Sequence, residues 1–170
     1  MKHSQTALLV IDMQADYIGK TSKYNFYPIE LIDKINERIV RAVKEKETII
    51  YVKNAGRRNN IPYVSDFAGN LLIESNYIIQ KNTLSAFENP ALLEILNKEH
   101  ISKIEMAGID GNCCVAASAI DALKSGFWVI FPLGYIGIIS QKRFAETKEK
   151  LLNANAIGET KIEIVDNAHL

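Results

Sequence analysis

Short, almost wholly apolar runs constrain this chain more than anything else in it. Ala7-Leu8-Leu9-Val10-Ile11, Thr48-Ile49-Ile50-Tyr51-Val52 and Phe127-Trp128-Val129-Ile130-Phe131 are too short for helices, rich in β-branched and aromatic residues, and without regular polar alternation. A strand of that kind has both faces covered, and a sheet covered on both faces is built from parallel strands joined by helices. Weaker runs at 77–80, 103–107 and 161–165 extend the series. Between them lie helical signals. Pro28 opens a segment in which Ile32, Ile35, Ile39, Val40 and Val43 share one face, with Asp33, Lys34, Glu37, Arg38 and Lys44 assigned to the other. Residues 90–98, 114–124 (closed by Ser125-Gly126) and 141–154 read as further helices. The expected fold is α/β, three layers α/β/α around a mostly parallel sheet of about six strands. Segment 54–76, polar and carrying Gly56, Pro62 and Gly69, is expected to be a long functional loop.

With 170 residues the chain is long enough for one domain, 1–170, and little beyond it. Its 20 basic and 20 acidic residues balance, which leaves no electrostatic footprint for nucleic acid or an anionic membrane surface. No apolar run reaches the roughly 20 residues that cross a bilayer. Met1-Lys2-His3-Ser4-Gln5 leads directly into the first strand, so a soluble cytoplasmic protein is expected. Cys113 and Cys114 are adjacent, cannot staple a loop and lack C-x-x-C metal spacing, in keeping with a reducing compartment.

In open α/β sheets ligands bind beyond the carboxyl ends of the strands, near the point where strand order reverses. There the sequence puts Asp12 after the first strand, Lys81 after the third, and residues 110–114 after the fourth. Each has a plain structural reading: a cap, a solvated strand end, a small buried residue at a helix start. Together they set an acid, a cation and a thiol on one rim. A free thiol is mostly un-ionised at neutral pH, and a helix N-terminus with a nearby ammonium is expected to lower the pKa of Cys114. A carboxylate close to both can carry the proton away and return it.

Three blocks carry a resemblance. Ala7-Leu8-Leu9-Val10-Ile11-Asp12-Met13-Gln14, Lys81 with Ser85-Ala86-Phe87, and Gly108-Ile109-Asp110-Gly111-Asn112-Cys113-Cys114-Val115 resemble the isochorismatase-like cysteine hydrolase family, in the family's order. The likeness covers about residues 6–131. It implies a Rossmann-like α/β/α fold and an Asp-Lys-Cys triad of Asp12, Lys81 and Cys114, with an acyl-enzyme on the thiol when an amide is cleaved. Asp12 is then the base that takes the thiol proton and later activates water, and Lys81 holds the thiolate and Asp12 in place. The resemblance further implies a non-proline cis peptide at Ile109-Asp110 and an oxyanion hole from the backbone N–H groups of Asp110 and Cys114. The family's Cys-Val pair maps onto Cys114-Val115, so Cys113 is expected to pack against the core.

Departures from the family refine the expectation. Its nicotinamidase branch binds a metal through an Asp and two His after the second strand, whereas 54–76 holds no histidine, and His3, His100 and His169 lie elsewhere. A C–N hydrolase without metal or cofactor is expected, acting on a small amide or carbamoyl compound as a homo-oligomer of two or four chains. Gln14, Tyr17 and Phe87 are expected to contact substrate, with Tyr135 as a further candidate wall. Arg57-Arg58 reads either as a grip for a substrate carboxylate or as a solvated loop tip. Where the family carries an acidic residue after the fifth strand, this chain reads Pro132-Leu133-Gly134-Tyr135-Ile136-Gly137. The alternatives are a nicotinamidase-type amidase and a non-catalytic binding or assembly module that keeps the fold. A cysteine phosphatase is excluded because Ile120 stands where its loop needs Arg. A flavodoxin-like carrier lacks support because no glycine-rich phosphate loop follows the first strand, and the family's vinyl-ether hydrolases act without a cysteine nucleophile.

Overall fold

A computed structural model of the chain describes residues 5–154 and 159–166. In chain order the elements are β1 (Gln5–Ile11), α1 (Glu30–Glu45), β2 (Thr48–Asn54), β3 (Gly56–Arg58), β4 (Ile61–Tyr63), β5 (Ile78–Lys81), α2 (Pro90–Lys98), β6 (Ile101–Ile109), α3 (Cys114–Lys124), β7 (Trp128–Pro132), β8 (Ile136–Gly137), α4 (Gln141–Ala154) and β9 (Ile162–Val165). The main sheet runs β5-β2-β1-β6-β7-β9, all parallel, with the two-residue β8 paired to the end of β6. The expected parallel sheet covered by helices is therefore present, with one short strand more than the sequence signalled. Lys81 closes β5 instead of following it. Strand order reverses between β1 and β6, which makes the ends of these two neighbours the place where side chains from both halves of the sheet converge.

Alternate residues of β1 feed two cores. Leu8 and Val10 face α1, packing with Leu31, Ile32, Ile35 and Ile39. Ala7, Leu9 and Ile11 face the other way, into a cluster with Leu92 and Leu96 of α2, Val115 and Ala119 of α3, and Phe144 and Leu151 of α4. Each fully buried aliphatic side chain contributes about 1.5–3 kcal/mol, so β1, covered on both sides, is anchored firmly enough to fix the position of Asp12 at its carboxyl end. Gly108 shows how close the neighbours come. Its φ is +116°, and a Cβ there would lie 2.0 Å from the Ile11 carbonyl oxygen.

Two sequence expectations need correction. Val40 and Val43, assigned to the inner face of α1, are 56% and 48% exposed, while Arg38, assigned to solvent, is only 2% exposed. The inward stripe is Leu31, Ile32, Ile35, Arg38, Ile39 and Ala42. Arg38 can lie there because Glu105 of β6 meets it with two bonds, Nε to Oε1 at 2.8 Å and Nη2 to Oε2 at 2.9 Å, and Glu47 adds a third at 2.6 Å. The segment expected to be a loop contains the antiparallel hairpin β3–β4. Its turn residues Asn59 and Asn60 both have positive φ, 51° and 63°, as two-residue hairpins of the primed type require. Among the described residues no helix is long and apolar enough to cross a membrane.

Removing one member of a buried ion pair leaves the other charge uncompensated. Arg38→Met should therefore lower the unfolding free energy by about 3–5 kcal/mol, read from the urea midpoint, and adding Glu105→Leu should restore part of it. An unchanged midpoint in the single variant would contradict the buried pairing.

Candidate active site

The structure brings Asp12, Lys81 and Cys114 together. Asp12 is the first residue beyond β1, with φ 56°, held by its N–H donating to the Val52 carbonyl at 2.9 Å. Lys81 at the end of β5 donates to Asp12 Oδ2 at 2.9 Å, to Cys114 Sγ at 3.3 Å, to the Thr83 carbonyl at 3.1 Å and to Asn54 Oδ1 at 3.4 Å. Its side chain is 1% exposed and that of Asp12 is 6% exposed. Cys114 opens α3, where backbone N–H groups have no intrahelical acceptor. The Ile109-Asp110 peptide is cis. In the turn between β6 and α3, Gly111 N–H donates to the Gly137 carbonyl, and Cys113 N–H and Val115 N–H both donate to the Asp110 carbonyl. Ser118 Oγ donates to the Cys114 carbonyl at 2.7 Å and accepts from Ala86 N–H at 3.0 Å, tying the start of α3 to the turn after Lys81.

Above the thiol lies a cavity of about 290 Å³ lined by Asp12, Asp16, Tyr17, Tyr24, Phe26, Tyr27, Asn54, Ile109, Asp110, Cys113, Cys114 and Ile139. Tyr17 lines the cavity, and its hydroxyl accepts from Asn54 Nδ2 at 2.9 Å. Gln14 does not line the cavity. Fully buried, it accepts from Asn54 N–H at 2.6 Å and donates to the carbonyls of Asn54 and Ser65 and to Ser65 Oγ, each at 3.2 Å. It is a clamp on Asn54, because its amide is consumed by these partners. Phe87 also points elsewhere and packs against Phe127, ring centroids 6.1 Å apart. Tyr135 is buried, with its hydroxyl accepting from Arg41 Nη2 at 3.3 Å. Cys113 lines the cavity instead of joining the core, and both cysteines are free.

Sequence reasoning missed Asp16, Tyr24, Phe26, Tyr27, Asn54 and Ile139. Most sit in irregular segments that carry no periodic signal, and only their richness in aromatic residues could have drawn attention. Tyr27 donates its hydroxyl to Asp110 Oδ2 at 3.2 Å. It fits there because residue 137 is glycine: a Cβ at that position would lie 2.6 Å from Tyr27 Cδ1. Asp110 also accepts from Asn112 N–H at 2.7 Å and Ile139 N–H at 2.8 Å. Among the described residues no three or more His, Cys, Asp or Glu side chains are grouped to hold a metal ion.

These features define a class of three-layer α/β protein, with a thiol, an ammonium and a carboxylate gathered at the switch point of a parallel sheet. Within that class the chain belongs to the isochorismatase domain family, whose model matches residues 6–132. Streptothricin hydrolase of Streptomyces noursei is 22% identical over 131 residues, 74% of this chain and 47% of that protein, so the chain spans about half the length of this relative. The pyrazinamidase of Pyrococcus horikoshii in complex with zinc is similar in structure at a TM-score of 0.77, with 24% identity and 95% and 99% of the two chains covered. The N-carbamoylsarcosine amidase of Thermoplasma acidophilum gives 0.79, with 15% identity and 98% of each chain covered. At these identities the structural likeness is one of fold.

The electrostatics differ from expectation. Burial, reinforced by the Asp12 charge, pushes the Cys114 thiol up to about 11, and the ammonium of Lys81 only partly offsets it. Burial likewise raises the Asp12 carboxyl above the usual carboxylate range against the pull of Lys81. Tyr27 is held protonated by burial and by Asp110. The expected lowering of the thiol pKa is thus reversed, because desolvation of an anion outweighs one ammonium shared with a carboxylate. Because the folded chain keeps the Cys114 proton beyond the ordinary value of 9.0, this group withdraws stability as pH rises from there to about 11. Alkylation of Cys114 by iodoacetamide, followed by peptide mass spectrometry, should accelerate with pH up to about 11. Asp12→Asn should lower that midpoint and Lys81→Met raise it. A rate already at its plateau near neutral pH would contradict the assignment.

Proposed function

We propose that this protein is a cysteine amidohydrolase that cleaves the C–N bond of a small amide or carbamoyl compound through an acyl-enzyme on Cys114. The observation that carries the reading is the buried contact of one ammonium with both a carboxylate oxygen and a thiol sulfur at the floor of a cavity. In the first step Cys114 Sγ bonds to the carbonyl carbon while its proton passes to Asp12. The oxygen that gains charge is met by the backbone N–H groups of Asp110 and Cys114. Asp12 then gives the proton to the leaving nitrogen, the C–N bond breaks, and ammonia or an amine departs. Water, deprotonated by Asp12, attacks the thioester, and collapse returns acid product and thiol. A raised carboxyl pKa suits this shuttle, since a general base works best with a pKa near the operating pH. The Lys81 ammonium, in contact with the sulfur, stabilises the passing thiolate.

A catalytic zinc or iron site takes at least three protein ligands, commonly with histidine among them. The segment after β2 offers Asp66 and Glu74 without a histidine, and His3 and His169 lie outside the described residues. Among the described residues the donors do not fit a metal, and the mechanism needs none, because its nucleophile is made by proton transfer. A nicotinamidase-type amidase is the second reading, favoured by the aromatic walls of the cavity. A reducing cytoplasm is the proposed setting, since the nucleophile has to remain a free thiol.

Screening primary amides, nicotinamide and carbamoyl compounds for ammonia release should find turnover that Cys114→Ala abolishes. Full turnover by that variant, or none by the native chain on any compound, would contradict the reading, the second outcome pointing to a binding module. Asp12→Asn and Lys81→Ala should each lower kcat by about 100-fold or more with the fold intact by circular dichroism. Exhaustive chelation should leave activity unchanged. Loss on chelation with recovery on adding zinc, iron or manganese would revive metal catalysis.

A further inference from the structure

The walls of the cavity hold carboxylates and aromatic rings but no lysine or arginine. From this we infer that the amide accepted by the site carries a positive charge on its non-reacting part. The inference rests on the hydrolase reading and narrows its substrate class.

Four rings, Tyr17, Tyr24, Phe26 and Tyr27, line the cavity beside the carboxylates of Asp16 and Asp110. Each cation nearby already has a partner. Lys81 is held by Asp12 below the floor. Arg58 pairs with Asp16 at 3.3 Å while its guanidinium stacks 3.9 Å from the Tyr63 ring. Arg57 donates to the Asn60 carbonyl in its own hairpin, and Lys23 Nζ stands 5.5 Å from the Tyr24 ring centre. The sequence expectation of an arginine grip on a substrate carboxylate is not met in this cavity, which neither arginine lines; both line the neighbouring pocket with Asp16 and Tyr17.

Asp110 is the opposite case. It accepts from Tyr27 Oη, Asn112 N–H and Ile139 N–H, dipoles that stabilise its charge without cancelling it. At the floor, buried Asp12 Oδ1 has no hydrogen-bond partner, the carboxylate pairing with Lys81 through Oδ2. An anionic substrate would meet the Asp110 carboxylate, which pairs with no cation among the described residues, in a partly water-excluded space where that repulsion is strong. A cation meets the negative faces of the rings as well as the carboxylates. Phe26, stacked on Tyr24 with centroids 5.1 Å apart and about half exposed, adds aromatic surface for such a group, while Lys23 stands over Tyr24.

The test uses three planar carboxamides of similar size: 1-methylnicotinamide as the cation, nicotinamide as the neutral form and 3-carbamoylbenzoate as the anion. Ammonia release should give kcat/KM at least about tenfold higher for the cation than for the neutral amide, and at least about tenfold lower for the anion, a contrast of the size such contacts produce. Raising the salt concentration should weaken the advantage of the cation, since solvent-reachable charge is screened. Asp16→Asn should reduce the cation-to-neutral ratio, and Arg58→Gln should increase it. Binding of the same three compounds to Cys114→Ala, which cannot acylate, reads the charge preference separately from turnover. Absence of turnover with cation-selective binding would overturn the hydrolase reading and leave the preference standing. Equal handling of all three compounds, or preference for the anion, would overturn the inference whether or not turnover occurs.

Discussion

Lys81 Nζ is buried with Asp12 Oδ2 at 2.9 Å and Cys114 Sγ at 3.3 Å, and taking that charge out of water costs several kcal/mol unless its surroundings compensate. Compensation comes from parts of the chain that only the fold unites. Asp12 follows β1, Asn54 ends β2, Thr83 lies beyond β5 and Cys114 opens α3. Four acceptors converge on one ammonium because the sheet order puts β1, β2 and β5 side by side and sets β6 against the other edge of β1. Gln14 and Ser118 extend the arrangement outward, the first by fixing Asn54 and the second by tying α3 to the turn after Lys81.

The same burial decides the chemistry. A thiol held up to about 11 is neutral at rest, so in the proposed mechanism a thiolate forms only as its proton leaves for Asp12. This couples nucleophile formation to the presence of an acceptor carbonyl and spares the resting thiol from oxidants that attack thiolates. It also makes the site a drain on stability, with both Asp12 and Cys114 titrating unfavourably relative to the unfolded chain. The two-sided burial of β1 and the Arg38–Glu105 pairing lie away from the site and offset that cost.

Much of this was legible in the sequence, for physical reasons. Uninterrupted apolar runs specify strands covered on both faces, and the residues that end such strands stand on the rim of the sheet, which is how Asp12, Lys81 and residues 110–114 could be singled out from the sequence alone. Arg38 was misread because its partner Glu105 lies 67 positions away, and periodicity assigns a charge to solvent unless a distant acid meets it. Gln14 and Phe87 were read as substrate contacts from their place beside the motifs, but adjacency in sequence does not fix the direction of a side chain. The cavity walls at Tyr24, Phe26, Tyr27 and Ile139 come from irregular segments whose placement depends on Asp110 and on the space at Gly137. The thiol pKa was misjudged in sign because a sequence reveals neighbouring charges and hides desolvation.

Everything proposed for the chemistry turns on transient acylation of Cys114. Rapid mixing with a turned-over amide, acid quench within the first turnover and mass spectrometry of the digested protein would detect it. The acyl mass should appear on the peptide containing Cys113 and Cys114, with fragmentation placing it on Cys114, and should be lost in Asp12→Asn, which cannot take the thiol proton. An acyl group on Cys113, or steady turnover with no acylated cysteine at any time point, would contradict the proposed mechanism.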